Sequence, residues 1–147
     1  MGEPRRVLVV CMGNYCRSPL AALLIGATSD GTIEAKSAGL RDWHIGEAAH
    51  PLMITTAADL GYDLTRHRGA ELTPELIEWA DDLVAVDDET ARALAERAPG
   101  RPVHVLAGGV ADPYKQPPQA FIDAAHQIER AAREYSTSGA ADGVKGD

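Results

Sequence analysis

The chain is short of several things that would direct it elsewhere. It has two cysteines in 147 residues, Cys11 and Cys16. So few, so close together, make no disulfide framework and suit a reducing cytoplasm. No apolar run approaches the ~20 residues that a helix needs to cross a bilayer, so no membrane partner is expected. Arg5 and Arg6 precede an apolar run too short for a signal peptide, and no leader is expected. Positive charge is scarce too. Fourteen Lys and Arg against 22 Asp and Glu leave a net charge of -8, which argues against nucleic acid, since phosphate-backbone binding needs a basic face. His44, His50, His104 and His126 lack ligand spacing with one another, and no Cys/His/Asp cluster suggests a metal or another cofactor. There is no internal repeat. What is present, 45% apolar residues over this length, is enough for one domain with a sizeable core.

Strand and helix patterns alternate along the chain. Val7-Leu8-Val9-Val10 reads as a strand buried on both faces, about residues 6 to 10. A helix follows over about 18 to 28, with Leu20, Leu23, Leu24 and Ala27 at helical spacing, Ser18 as its N-cap and Pro19 in its first turn. A short strand is expected over 32 to 37 and a helix over 50 to 60, with Gly61 closing it. Thr73-Pro74 opens another helix, Leu83 to Val86 is the third strand, and Ala91, Leu94, Ala95 and Ala98 line the next helix. Val103 to Leu106 is the fourth strand, and Phe121, Ala125, Ile128 and Ala132 mark a long final helix. Alternation of this kind implies parallel strands, right-handed crossovers and a ligand at the strands' carboxyl ends. From Ser136 on, small and polar residues without periodicity predict a disordered tail over 136–147, after a domain over 1–135.

The chemistry concentrates in Cys11-Met12-Gly13-Asn14-Tyr15-Cys16-Arg17-Ser18-Pro19, between the first strand and the first helix. Such a loop aims backbone N–H groups at one spot before a helix N-terminus, a ready anion site. The stretch from Cys11 to Arg17 can wrap once around a tetrahedral oxyanion, with the sulfur beneath and the guanidinium at the rim. Sulfur attacks only as thiolate. Converging N–H dipoles and Arg17 favour that anion, and Ser18 can hydrogen-bond it as a leaving group. Arg17 can also hold two equatorial oxygens of a transferring phosphoryl group, which lysine's point charge cannot do. Asn14 after Gly13 suits the left-handed backbone that folds the loop inward.

Breaking a phosphate monoester requires protonating the departing oxygen. Asp112, in Asp112-Pro113-Tyr114 after Gly108-Gly109, places a carboxyl on a loop that leaves a strand. The same Asp-Pro could merely start a turn. Asp87 and Asp88 are rival acids that suit the N-cap of the following helix better.

Val10-Cys11-x-Gly-Asn-x-Cys-Arg-Ser-Pro19 resembles the active-site motif of the low-molecular-weight protein tyrosine phosphatases. The resemblance extends over roughly residues 5 to 135, through Ser37-Ala38-Gly39, Trp43-His44-Ile45-Gly46, Thr65-Arg66-His67-Arg68 and Asp112-Pro113-Tyr114. It implies an α/β fold: a four-stranded parallel twisted sheet with helices on both faces and the phosphate-binding loop between the first strand and first helix. It also implies hydrolysis of phosphotyrosine on proteins through a cysteinyl-phosphate, with Cys11 as nucleophile, Arg17 as clamp and Asp112 as general acid and base. The loop residues Met12, Gly13, Asn14, Tyr15, Cys16 and Ser18 would hold the phosphate. Asn14, Ser18, Ser37 and His67 would support the loop, and Trp43 and Tyr114 would wall an aromatic cleft. A monomer is the default state, and no metal or cofactor is implied.

The chain departs from the family at two positions, the first bearing on substrate and the second on packing. Tyr15 stands where the family usually has a small or aliphatic residue, and where threonine accompanies phosphoarginine phosphatases. Val86-Asp87 replaces the Met-Asp of many relatives. A thiol-dependent arsenate reductase on the same fold would need further cysteines, and none follows Cys16. A non-catalytic phosphopeptide-binding module would not need both Cys11 and Asp112. Cys16 is either a small apolar group under the helix start or a thiol that traps oxidised Cys11 as a disulfide.

Overall fold

The structure is a computed structural model and describes residues 2–139. Its first strand, β1 (Arg5–Cys11), sits between two neighbours, and Val7, Leu8, Val9 and Val10 are all fully buried. Each such side chain contributes on the order of 1.5–3 kcal/mol of transfer free energy. β2 (Ile33–Gly39), β3 (Asp82–Ala85) and β4 (Val103–Val105) complete a sheet in the order β2-β1-β3-β4 with every pairing parallel. Alternation along β1 divides the core. Val7, Val9 and Cys11 pack with Leu20, Leu24 and Ile25 of α1 (Arg17–Thr28) and with Phe121 and Ile128 of α5 (Pro118–Glu134). Leu8 and Val10 pack on the other face with Leu94 of α4 (Asp88–Arg97), and Leu76 of α3 (Pro74–Trp79) lies against the same cluster. The nine-residue helix α2 (Pro51–Asp59) lies beside α5. Among the described residues no helix is long and apolar enough to cross a membrane.

The chain leaves β1 toward β2 on one side while β3 pairs on the other, so the carboxyl end of β1 is where the strand order reverses. A crevice opens at such a point, and Cys11 stands in it, in register with Gly39.

The helix starts differ in kind. Thr73 caps α3 through Leu76 N–H at 3.1 Å, Asp87 caps α4 through Thr90 N–H at 2.8 Å, and His50 Nδ1 caps α2 by accepting Leu52 N–H at 3.0 Å. The expected cap on α1 is corrected: Cys16 occupies the capping position without a side-chain bond, and Ser18 lies inside the helix with its hydroxyl on Cys11. Helix continues as a wider turn over Tyr135–Gly139, past the expected boundary at 135. Tyr135 O–H donates to Asp82 at 2.7 Å, and Ser136 donates to the Thr28 carbonyl at 3.2 Å. The rest of the expected tail, 140–147, lies outside the described residues.

Candidate active site

The loop is held by one asparagine. Asn14 takes a left-handed φ of 55°, a conformation that few residues other than glycine and asparagine tolerate. Its two amide hydrogens go to Ser18 Oγ at 2.8 Å and Ser37 Oγ at 2.9 Å, and its Oδ1 accepts Ala70 N–H at 2.9 Å. Because Ser18 Oγ already accepts from Asn14, its own hydrogen is left for Cys11 Sγ, 2.9 Å away. Asn14 N–H donates to the same sulfur at 3.2 Å. Two donors converge on Sγ, which is the set of partners a thiolate needs.

His67 closes the ring of support by donating Nε2–H to the Asn14 carbonyl at 3.0 Å. Burial pushes its pKa down; the bond to the carbonyl opposes this and the Arg68 charge reinforces it. The folded value therefore lies below the unfolded one, near ~6.5. A group depressed in this way gives stability that is complete above the unfolded value and is lost as pH falls toward the folded one. Thermal unfolding of the wild type should accordingly fall more steeply from about pH 7.5 to about 5.5 than that of His67→Gln, which keeps an N–H donor and cannot protonate. Parallel slopes would remove His67 from the account.

Arg17 is 4% exposed and spends one end of its fork on the protein. Nη1 donates to Asp87 Oδ2 at 2.8 Å and to the Val110 carbonyl at 2.6 Å, which uses both of its hydrogens. Nη2 stands 3.7 Å from Asp112 Oδ2. The edge made by Nε and Nη2 is thus the one left to grip an anion side-on. Burial alone would raise the Asp87 pKa, but Thr90 and Arg17 outweigh it and hold this carboxyl below the usual range. Asp87 therefore does two jobs: it caps α4 and it aims Arg17. From sequence Asp87 offers the cap and a rival acid, not this anchoring role. A carboxylate at a helix start is legible from sequence; which distant guanidinium its second oxygen meets is not.

Asp112 faces the cleft from the opposite loop, 53% exposed at its side chain, with Oδ1 accepting Tyr114 N–H at 3.1 Å. That loop is pinned at its root, where Val110 N–H donates to the Val86 carbonyl at 2.7 Å and the Val110 carbonyl meets Arg17.

The cleft is lined below by Cys11, Met12, Gly13, Cys16 and Arg17, and above by Tyr15, Trp43, His44, Asp112 and Tyr114. Asn14, Ser18, Ser37 and His67 stand behind the loop rather than in the lining. From sequence His44 carries part of the family resemblance but no assigned role. In the structure its ring stacks on Tyr15 at 3.8 Å between centroids and 7° between planes, and its Nδ1 meets Glu47 at 2.9 Å. Tyr15 also meets Tyr114 edge-on at 5.9 Å, so it bridges the two walls. Two glycines permit this. A Cβ on Gly69 would strike the His44 carbonyl, and one on Gly13 would come within 3.1 Å of the His44 ring. Burial pushes the Cys16 thiol up to about 12. Among the described residues no group of three His, Cys, Asp or Glu side chains lies together as a metal site would require.

A thiol met by a backbone N–H and a hydroxyl, with a buried arginine in the same cleft at the switch point of a parallel sheet, defines a cysteine-centred anion cradle of the phosphatase type. The chain belongs to the low molecular weight phosphotyrosine protein phosphatase family, whose model matches residues 6–144. It is 34% identical to the low molecular weight protein-tyrosine-phosphatase of Streptomyces coelicolor, over 86% of this chain and 88% of that protein. It is 31% identical to the protein-arginine-phosphatase of Geobacillus stearothermophilus, over 86% of this chain and 90% of that protein. Among solved structures, Vibrio vulnificus Wzb in complex with benzylphosphonate superposes with a TM-score of 0.84 at 27% identity, covering 90% of this chain and 97% of that one.

Proposed function

We propose that this protein hydrolyses phosphotyrosine on proteins through a cysteinyl-phosphate, without metal or cofactor. The observation that carries the reading is the pair of donors on Cys11 Sγ, 2.9 and 3.2 Å away, beneath a guanidinium whose free edge faces the same cleft. Cys11 attacks phosphorus in line while Arg17 and the amides of residues 12 to 17 take the equatorial oxygens. Asp112 gives its proton to the departing phenolate. As carboxylate it then takes a proton from the water that attacks the phosphoenzyme, and Cys11 leaves as a thiolate hydrogen-bonded by Ser18. Trp43 and Tyr114 flank the phenyl ring. With free, buried cysteines and a strongly acidic composition, the chain is read as a monomeric cytoplasmic enzyme.

The test is metal-free release of phosphate from matched phosphotyrosine, phosphoserine and phosphoarginine peptides, with wild type beside Asp112→Ala. EDTA-insensitive release from phosphotyrosine, lowered about 10²- to 10⁴-fold in Asp112→Ala with KM little changed, is expected. Unchanged kcat in that variant would remove Asp112 as the acid. Preference for phosphoarginine, the reaction named for one relative, would keep the mechanism and replace the substrate. Against that outcome stands Tyr15, a tyrosine stacked on His44 in the cleft lining where phosphoarginine phosphatases carry threonine.

Cys16 is further proposed as a resolving thiol. Peroxide oxidises Cys11 to a sulfenic acid, and Cys16 condenses with it to form the disulfide and release water. Peroxide-treated Cys16→Ser should then recover less activity with dithiothreitol than treated wild type; equal recovery would sink the idea.

A further inference from the structure

Among the described residues, three of the four large apolar side chains left open to solvent belong to the two loops at the cleft. The four are Trp43 at 59%, Ile45 at 55%, Tyr114 at 43% and Ile122 at 38%. Trp43 and Tyr114 line the catalytic cleft, and Ile45 lies two residues beyond Trp43 on the same loop, outside the lining. A chain with a net charge of -8 thus presents an apolar rim at one side of its cleft. Exposed apolar surface beside a binding cleft marks an interaction site more often than chance.

We infer that the Trp43–Ile45 rim is a subsite for an apolar residue next to the phosphotyrosine in the substrate chain. The inference rests on the phosphotyrosine reading above and adds which sequence around the phosphotyrosine is preferred. The occupant follows from continuity with the cleft. A phosphotyrosine seated on Cys11 carries its own polypeptide out through this mouth, and an extended chain advances only about 3.3 Å per residue. A residue one or two positions away therefore covers the rim. The loop is already ordered to receive it. Gly46 N–H donates to the Gly69 carbonyl at 2.9 Å, Gly69 N–H to the Glu47 carbonyl at 2.8 Å, and Glu47 N–H to the His44 carbonyl at 3.0 Å. A rigid receiving surface spares most of the ordering cost of binding. Charge offers no rival selectivity. Asp42 and Glu47 share the loop with Arg41, and Asp112 faces the cleft near Lys115, whose ammonium lies 5.7 Å from the Tyr114 ring centre. Glu47 is held by His44 Nδ1 at 2.9 Å, and the remaining two acids face two bases.

The experiment compares wild type, Ile45→Ser and Ile45→Asp on peptides whose phosphotyrosine is flanked by Leu, Ser or Glu, with p-nitrophenyl phosphate as a substrate that has no flanks. Wild type should favour the Leu-flanked peptide by about tenfold in kcat/KM, carried mostly by KM, as expected for one apolar side chain buried. Ile45→Asp should lose that preference while turning over p-nitrophenyl phosphate at the wild-type rate, with Ile45→Ser in between. Equal kcat/KM for all three peptides with wild type overturns the subsite. So does a variant that loses p-nitrophenyl phosphate activity in the same proportion as peptide activity, because Ile45 would then only prop the loop. Wild type inert toward p-nitrophenyl phosphate itself would instead overturn the phosphatase reading, and the subsite with it.

Discussion

Cys11→Ser is expected to bind phosphotyrosyl peptides about as tightly as the wild type and to release no measurable phosphate from them. The loss should be on the order of 10⁴-fold or more in kcat, which at ~1.4 kcal/mol per decade is at least about 5 kcal/mol of barrier. The reason lies in the partners of the sulfur. Ser18 O–H and Asn14 N–H both donate toward Sγ. Donors stabilise sulfur as an anion, the form in which a cysteine attacks. A serine hydroxyl there would need a base to remove its proton, and the site turns donors toward it instead. The cradle itself survives, because its shape depends on Asn14, Ser37, His67 and Ala70. Calorimetry with phosphopeptide and a single-turnover phosphate assay on the same preparation separate the two effects. Residual turnover within tenfold of wild type would show that another group attacks phosphorus.

Arg17→Lys should lower kcat/KM by about 10³-fold or more, the scale on which a lone arginine acts in phosphoryl transfer, and should weaken inhibition by inorganic phosphate. Lysine keeps the charge and loses the fork. It can reach Asp87 or the anion, but it cannot hold Asp87 and the Val110 carbonyl through one nitrogen while presenting two more donors to phosphate. A carbonyl that is buried and left unpaired costs about 1–3 kcal/mol, so the melting temperature should fall as well. Asp87→Asn dissects the same contact from the other side. Asparagine caps a helix nearly as well as aspartate, so α4 keeps its start while Arg17 loses its charged anchor. Arg17→Lys with wild-type kcat/KM would mean that the loop amides alone carry the phosphate.

Much of the fold could be read from the chain because its signals are local. Four apolar residues in a row at Val7–Val10 admit only a strand covered on both sides, and β1 is central in the sheet. Thr73-Pro74 and Asp87 mark helix starts by side-chain chemistry that acts within three residues. Ser18 misled for the same reason. It has the residue type of a cap, but a stronger partner, a sulfur seven residues back in sequence, took its hydroxyl.

By itself, the sequence determined the alternation of strand and helix, the loop from Cys11 to Arg17, and the left-handed turn at Asn14. Each follows from backbone sterics, apolar periodicity or residue type within a few positions. Tertiary structure alone decided that Asp87 and the Val110 carbonyl turn the guanidinium of Arg17. It also decided that His44 lies flat on Tyr15, and that the 41–47 loop settles onto Gly13 and Gly69. These contacts join residues dozens of positions apart. Their geometry is set by how β3, β4 and the loops above them pack around β1, and no local pattern of residues encodes that.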